Sequence, residues 1–168
     1  MLACCCAGRK PNDLGVGEDG LLKAPPLKPN VAMSDIRPPM NPAGSNSAME
    51  KLQQVEPYVI VGDAAAAWQQ AQTTMRGWKN TVITEDEDTY MHCECSTTVI
   101  GFTDDLELHL RPTGGTIAVR SASRIGYGDM GANGRRVEAI RGVLVAAGVV
   151  APLGSKGAAS VAAATALD

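Results

Sequence analysis

His92, Cys93, Cys95 and His109 are the residues of this chain whose types most invite a metal ion. Imidazole nitrogens and thiolate sulfurs are the usual ligands of zinc. Their placement argues the other way. Residues 89–98 read as a strand, in which successive side chains point to opposite faces. Met91, Cys93 and Cys95 then share one face, and Tyr90, His92 and Glu94 share the other. Four ligands cannot reach one ion from both sides of a sheet. The two thiols are therefore expected in the core, where free cysteine usually sits, and no metal is expected. His92, Glu94, Glu107 and His109 remain as a carboxylate–imidazole set on the outer face, expected to be solvated and salt-bridged. Glu85-Asp86-Glu87-Asp88 offers oxygens for Ca²⁺ but lacks the spacing and glycine of an EF-hand loop. A solvated hairpin tip is expected there.

A second constellation could hold an anion. Gly126-Tyr127-Gly128 and the run from Gly131 to Gly134 lead into a helix, a geometry that can cradle phosphate. No lysine followed by serine or threonine is present there, so this is not a P-loop. Arg135 and Arg136 fall in the first turn of the helix, where positive charge opposes the macrodipole, and Arg124 stands just upstream. Either the acids Asp104, Asp105, Asp129 and Glu138 neutralise this cluster, or an anion does. The internal ion-pair and capping network is the favoured reading, with an anionic ligand as the alternative. Asp104 shares strand parity with Ser123 and is expected opposite it, near the start of the helix, which Asn133 is expected to cap. The ligand or network candidates are thus Asp104, Asp105, Arg120, Ser123, Arg124, Asp129, Asn133, Arg135, Arg136 and Glu138. Ser121 and Ser123 lie on the apolar face and His109 on the other, so no nucleophile–base pair emerges. No catalytic residue is assigned, no cofactor is expected, and the reading leans away from an enzyme.

The elements that must position these residues follow from punctuation and periodicity. Eight of the ten prolines lie in residues 1–57, and all six aromatic residues come after them. Residues 1–57 therefore read as an extended proline-rich strap or linker, lying along the domain or along a partner. Residues 58–150 form the folded domain, and 151–168 an Ala/Gly-rich tail. Within the domain, 58–61 is a short strand. Asp63 caps a helix bearing Ala64, Trp68, Ala71, Met75 and Trp78 on one stripe. Strands at 81–84, 89–98, 105–110 and 116–123 follow, with an acidic turn at 85–88 and a turn at 111–115. A last helix carries Val137, Ile140, Leu144 and Ala147, with Gly148 at its C′ position. The expected class is α+β: an antiparallel sheet of four to five strands, two helices on one face and the N-terminal strap. Matching faces across the turns sets Leu110 opposite Ile117 and Glu107 opposite Arg120 as a cross-strand ion pair. A hairpin around Gly101 sets Cys95 opposite Leu108 and Glu94 opposite His109.

Composition narrows the partners. The chain has 168 residues and a net charge of -3, which argues against a nucleic-acid binder. No apolar run reaches the ~18–20 residues of a membrane span. No secretory signal is visible between Met1 and the cysteines. Cys4, Cys5 and Cys6 suit reversible palmitoylation. An unmodified terminus is the favoured alternative, because no second anchoring signal accompanies them.

Several runs carry a resemblance. Phe102-Thr103-Asp104-Asp105-Leu106-Glu107 is followed by Val119-Arg120-Ser121-Ala122-Ser123-Arg124-Ile125-Gly126-Tyr127, then Asp129-Met130-Gly131-Ala132-Asn133 and Arg136-Val137-Glu138-Ala139-Ile140-Arg141. Together with Tyr90-Met91-His92-Cys93-Glu94 and Pro11-Asn12-Asp13-Leu14-Gly15-Val16, they resemble domain-of-unknown-function family 1499 over most of residues 11–148. The resemblance implies a domain found in bacteria, often behind a lipoprotein or membrane signal, and in photosynthetic eukaryotes. It implies no catalytic residue, since the family has no established activity. Many members carry a cysteine pair where this chain has Pro25 and Val31, a serine at the place of Gly128 and a basic residue at the place of Gly134. Cys4 resembles in position the lipid-bearing cysteine of bacterial members. The expectation is a non-enzymatic interaction module, an accessory or assembly subunit with a protein partner in a membrane-associated complex, a photosynthetic one among the candidates. A membrane or plastid (thylakoid) site is favoured over the cytoplasm. The alternative is a small anionic-ligand-binding domain or enzyme using the arginine-rich start of the last helix.

Overall fold

A computed structural model describes residues 7–25, 28–35, 54–97 and 101–154. The lipidation candidates Cys4, Cys5 and Cys6, part of the proline-rich stretch and most of the tail lie outside the described residues.

Helix α1, Ala64–Arg76, begins where the Asp63 carboxylate accepts from the Ala66 N–H at 2.7 Å. Its apolar stripe buries Ala67, Trp68, Ala71 and Met75. Helix α2, Ala132–Ala146, buries Val137, Ile140 and Leu144. It ends with Gly148 donating to Val145 and Val149 donating to Leu144. This closing motif needs a left-handed residue, and Gly148 has φ +74°. The start of α2 departs from expectation. Asn133 is not the cap: the Asp129 carboxylate accepts from the N–H groups of Gly131 and Asn133, at 2.8 and 2.7 Å. That frees the Asn133 side chain for the interior.

The strands are β1 (Val31–Met33), β2 (Tyr58–Val59), β3 (Thr81–Asp86), β4 (Tyr90–Ser96), β5 (Thr103–Arg111) and β6 (Thr116–Ser123). They form one antiparallel sheet in the order β1-β6-β5-β4-β3, with β2 also on β6. Six strands replace the expected four to five because β1 and β2 share one edge of β6. β1 pairs with residues 120–122 and β2 with 116–117. β1 lies in the segment expected to be strap. β3 runs on through Glu85 and Asp86, so the acidic turn is shorter than expected. Asp86 is held by Gln72 and Arg76 of α1, and Glu85 by Lys10.

The β5–β6 register is the expected one, with Leu110 opposite Ile117 and Glu107 opposite Arg120. The β4–β5 register is not. Cys95 faces Asp104, Glu94 faces Asp105 and His109 faces Tyr90. The turn centres two residues before the expected point. Gly101, at φ +75°, closes the loop rather than forming its tip. It donates to Thr97 O, and the Thr97 hydroxyl accepts from Phe102 N–H at 2.9 Å. The slip is even in number, so every side chain keeps its predicted face.

On the helix side, Met91, Cys93, Cys95, Leu106, Leu108, Ile117 and Val119 pack with Trp68, Met75, Val137, Ile140 and Leu144 in one core. Burial pushes the Cys93 thiol up to about 12 and the Cys95 thiol up as well, which disfavours the reactive thiolate of both. The outer face overturns its expectation. His92, Asp105, Glu107 and Arg120 are each no more than 1% exposed. The N-terminal segment lies over them and closes a small apolar cluster of Leu22, Val31, Met33, Tyr90, Ala118 and Ala122.

Candidate functional site

The sheet carries a polar network on each face, and the sequence candidates divide between them. On the helix side, Asp104 lies opposite Ser123. Arg136, in the first turns of α2, reaches Asp104 Oδ2 at 2.6 Å, Ser121 Oγ at 2.9 Å and Asn133 Oδ1 at 2.8 Å. Ser121 Oγ donates to Asn133 Oδ1 at 2.6 Å. Asn133 Nδ2 donates to Ser123 Oγ and to the Asn30 carbonyl, both at 2.9 Å. Asn30 in turn donates to the carbonyls of Ser123 and Gly126. The network thus pins the N-terminal segment, the end of β6 and the start of α2 together. Its serine hydroxyl meets an amide and a guanidinium, with no base to take its proton.

On the outer face, Arg124 Nε and Nη2 hold the two oxygens of Asp105 at 2.9 and 2.8 Å, and Nη2 also binds Glu94. His92 Nε2 shares Asp105 Oδ1 at 2.8 Å, and its Nδ1 meets Thr84 Oγ1. Burial alone would raise the Asp105 carboxyl. The bonds from His92 and Arg124 outweigh it and hold the group below its usual range. The same carboxylate, together with Glu94, raises the Arg124 guanidinium against the pull of burial. Beside this set, Arg120 pairs with Glu107 at 2.6 Å, as the register predicted, but in a buried rather than an exposed setting. Arg120 also takes the Asp13 carbonyl at 2.7 Å, and Glu107 accepts from Gly15 N–H at 2.6 Å and Tyr90 OH at 2.8 Å. Burial still wins at Glu107 and raises its carboxyl.

Thr84, His92 and Asp105 form a hydroxyl–imidazole–carboxylate line, the parts of a nucleophilic triad. Asp105 Oδ1, however, sits 2.8 Å from both His92 Nε2 and Arg124 Nη2. The carboxylate that would stabilise a developing imidazolium is already shared with a guanidinium. The line therefore reads as a clamp between β3, β4 and β5, at the bulge that β3 makes between Ile83 and Glu85.

Two candidates fall outside both networks. Glu138 pairs with Arg141 at 2.9 Å, and Arg141 stacks over the Tyr58 ring. Arg135 is exposed and donates to the Met130 carbonyl at 2.8 Å. Sequence reasoning missed Asn30, Asp13 and Thr84. The small residues flanking Arg120, Ala118 and Ala122, were the available signal that another segment must lie over this face.

These features define a class: an α+β domain whose sheet carries two helices on one side and its own N-terminal segment on the other. The chain belongs to the family described as Protein of unknown function (DUF1499), whose model matches residues 22–144, well over half of the chain. No curated protein and no solved structure matches it.

Proposed function

We propose that this domain is a non-enzymatic interaction module, an accessory or assembly subunit held by a membrane-associated complex, with photosynthetic membranes the first place to look. One observation carries the reading. The groups able to do chemistry, from Asp104 and Ser121 to His92 and Arg124, are engaged with one another in buried networks. What the domain offers to others is surface. Large apolar side chains stand exposed near the start of α2, among them Tyr127 and Met130. S-acylation of Cys4, Cys5 or Cys6 would add a membrane tether. No helix among the described residues is long and apolar enough to cross a membrane.

Native mass spectrometry of the endogenous protein, gently released from its source membranes, tests the reading. Further polypeptides attached to the chain are the expected result. A mass with no further polypeptide, equal to the chain plus an increment beyond any acyl group, overturns it and favours a small bound ligand. Arg135 supports that second reading. Among the described residues it has no carboxylate partner, and it borders a groove of about 530 Å³. Titration with inorganic phosphate, compared with Arg135→Ala, separates the two.

A further inference from the structure

We propose that the end of the sheet where α2 begins lies against a lipid bilayer. Three independent features meet there.

The first is an exposed apolar rim. Phe102, Ile125 and Met130 line the groove, and Tyr127 stands in the loop between them. Tyr127 is 66% exposed and Met130 93%. Exposed apolar residues grouped in one patch mark contact surfaces more often than scattered ones do, and tyrosine suits the boundary between lipid and water.

The second is the backbone at Met130. Its φ is +50°, a left-handed conformation that bulky side chains rarely adopt. Asp129 on one side and the Arg135 guanidinium on the Met130 carbonyl hold it there. The strain projects a methionine into solvent, where it forms no part of the core.

The third is the exit of the N-terminal segment. Gly8 packs so closely on Arg124 and Ile125 that a β-carbon there would stand 2.8 Å from side-chain atoms of both. Cys4, Cys5 and Cys6 are therefore covalently bound to within roughly 15 Å of Gly8, which itself touches Ile125, at ~3.3–3.6 Å per residue. An acyl chain on any of them enters the bilayer beside this rim. A single acyl chain gives only marginal, reversible attachment and needs a second signal. The sequence offers no adjacent basic helix, and the apolar rim supplies that signal in three dimensions. Exposed Arg135 borders the groove, which Asp104 and Asp129 also line, and its guanidinium is the contact available to anionic headgroups.

The proposal rests on the membrane association read above, and its test is chosen to fail separately. The full chain, without acyl groups, is floated with vesicles of phosphatidylcholine, and of phosphatidylcholine with phosphatidylglycerol, at millimolar lipid. It is expected to float, more strongly with the anionic lipid. The double variant Tyr127→Asp, Met130→Asp is expected to lose at least about tenfold in partition, with its melting temperature unchanged because both side chains are exposed. A parent chain that stays at the bottom, or a double variant that floats equally well, overturns the proposal. A photo-crosslinker at position 127 that captures protein rather than lipid in source membranes also overturns it, while leaving the subunit reading intact. Loss of the subunit in native mass spectrometry, with vesicle binding retained, would reject that reading alone.

Discussion

The two faces of the sheet bury side chains of opposite character. The helix side is mostly apolar, with Leu106, Leu108, Val119, Ile140 and Leu144 packed together and one polar network at its end. The outer side is built on ions, Asp105, Glu107, Arg120 and Arg124, and the His92 ring bonds to Asp105. The first face is stabilised by removing apolar area from water. The second must offset the cost of dehydrating its charges, and does so only while each charge keeps its partner. The difference teaches why the N-terminal segment is part of the domain. Asp13 and Gly15 supply bonds to Arg120 and Glu107 that the sheet alone lacks, and Leu22 and Val31 supply its apolar cover.

The largest test of this contrast is Arg124→Ala. It leaves Asp105 buried without its guanidinium partner, and a loss of about 3–5 kcal/mol is expected, enough to unfold a marginal domain. Leu106→Ala on the opposite face should cost about 2–5 kcal/mol. The pair is informative when urea midpoints are compared at pH 7 and pH 3. The arginine loss should shrink in acid, where the unpaired carboxylates take up protons, and the leucine loss should not. Equal pH dependence would mean that the outer face is not held by its charges.

A smaller effect comes from titration of the parent chain. Asp105 is held below its ordinary value of 3.8. Its contribution is present above that pH and is lost as the pH falls through the folded value. Glu107 is raised above 4.5, so its contribution has the opposite sign: present below 4.5 and lost as the pH rises through the folded value. Asp105→Asn should lower stability at pH 7 and flatten the acid limb, measured as urea midpoints between pH 7 and pH 2. A steeper acid limb would contradict the assignment.

The smallest expected effect lies away from both networks. Asp63→Ala removes one exposed cap bond and should cost about 0.5–2 kcal/mol. At pH 7 the loss should be equal in the parent chain and in the Asp105→Asn background, because the cap shares no partner with the outer face. A much larger loss in that background would show that α1 is coupled to the ion network.

Much of the architecture was legible in the residues. Alternation placed the side chains of β4, β5 and β6 on their correct faces, and Asp63 and Gly148 marked the helix ends they were expected to mark. The arginine-rich helix start was read as an ion-pair network, and Asp104 meets Arg136 there. The candidates were nevertheless grouped as one cluster, although adjacent strand residues such as Asp104 and Asp105 serve opposite faces. The β4–β5 register was misread because parity is unchanged by an even slip. Only the Thr97–Gly101 loop chemistry distinguishes the alternatives.

Sequence by itself determined which residues face which side, because strand and helix periods are local properties of the chain. It also determined the α+β class and the pairing of Glu107 with Arg120 across a short turn. Only the tertiary structure decided that the outer face is buried, since its cover comes from residues ~90–110 positions away in the chain, a separation no local pattern records. The same holds for the proposed membrane face: Gly8 and Ile125 become neighbours only when the N-terminal segment folds back across the sheet.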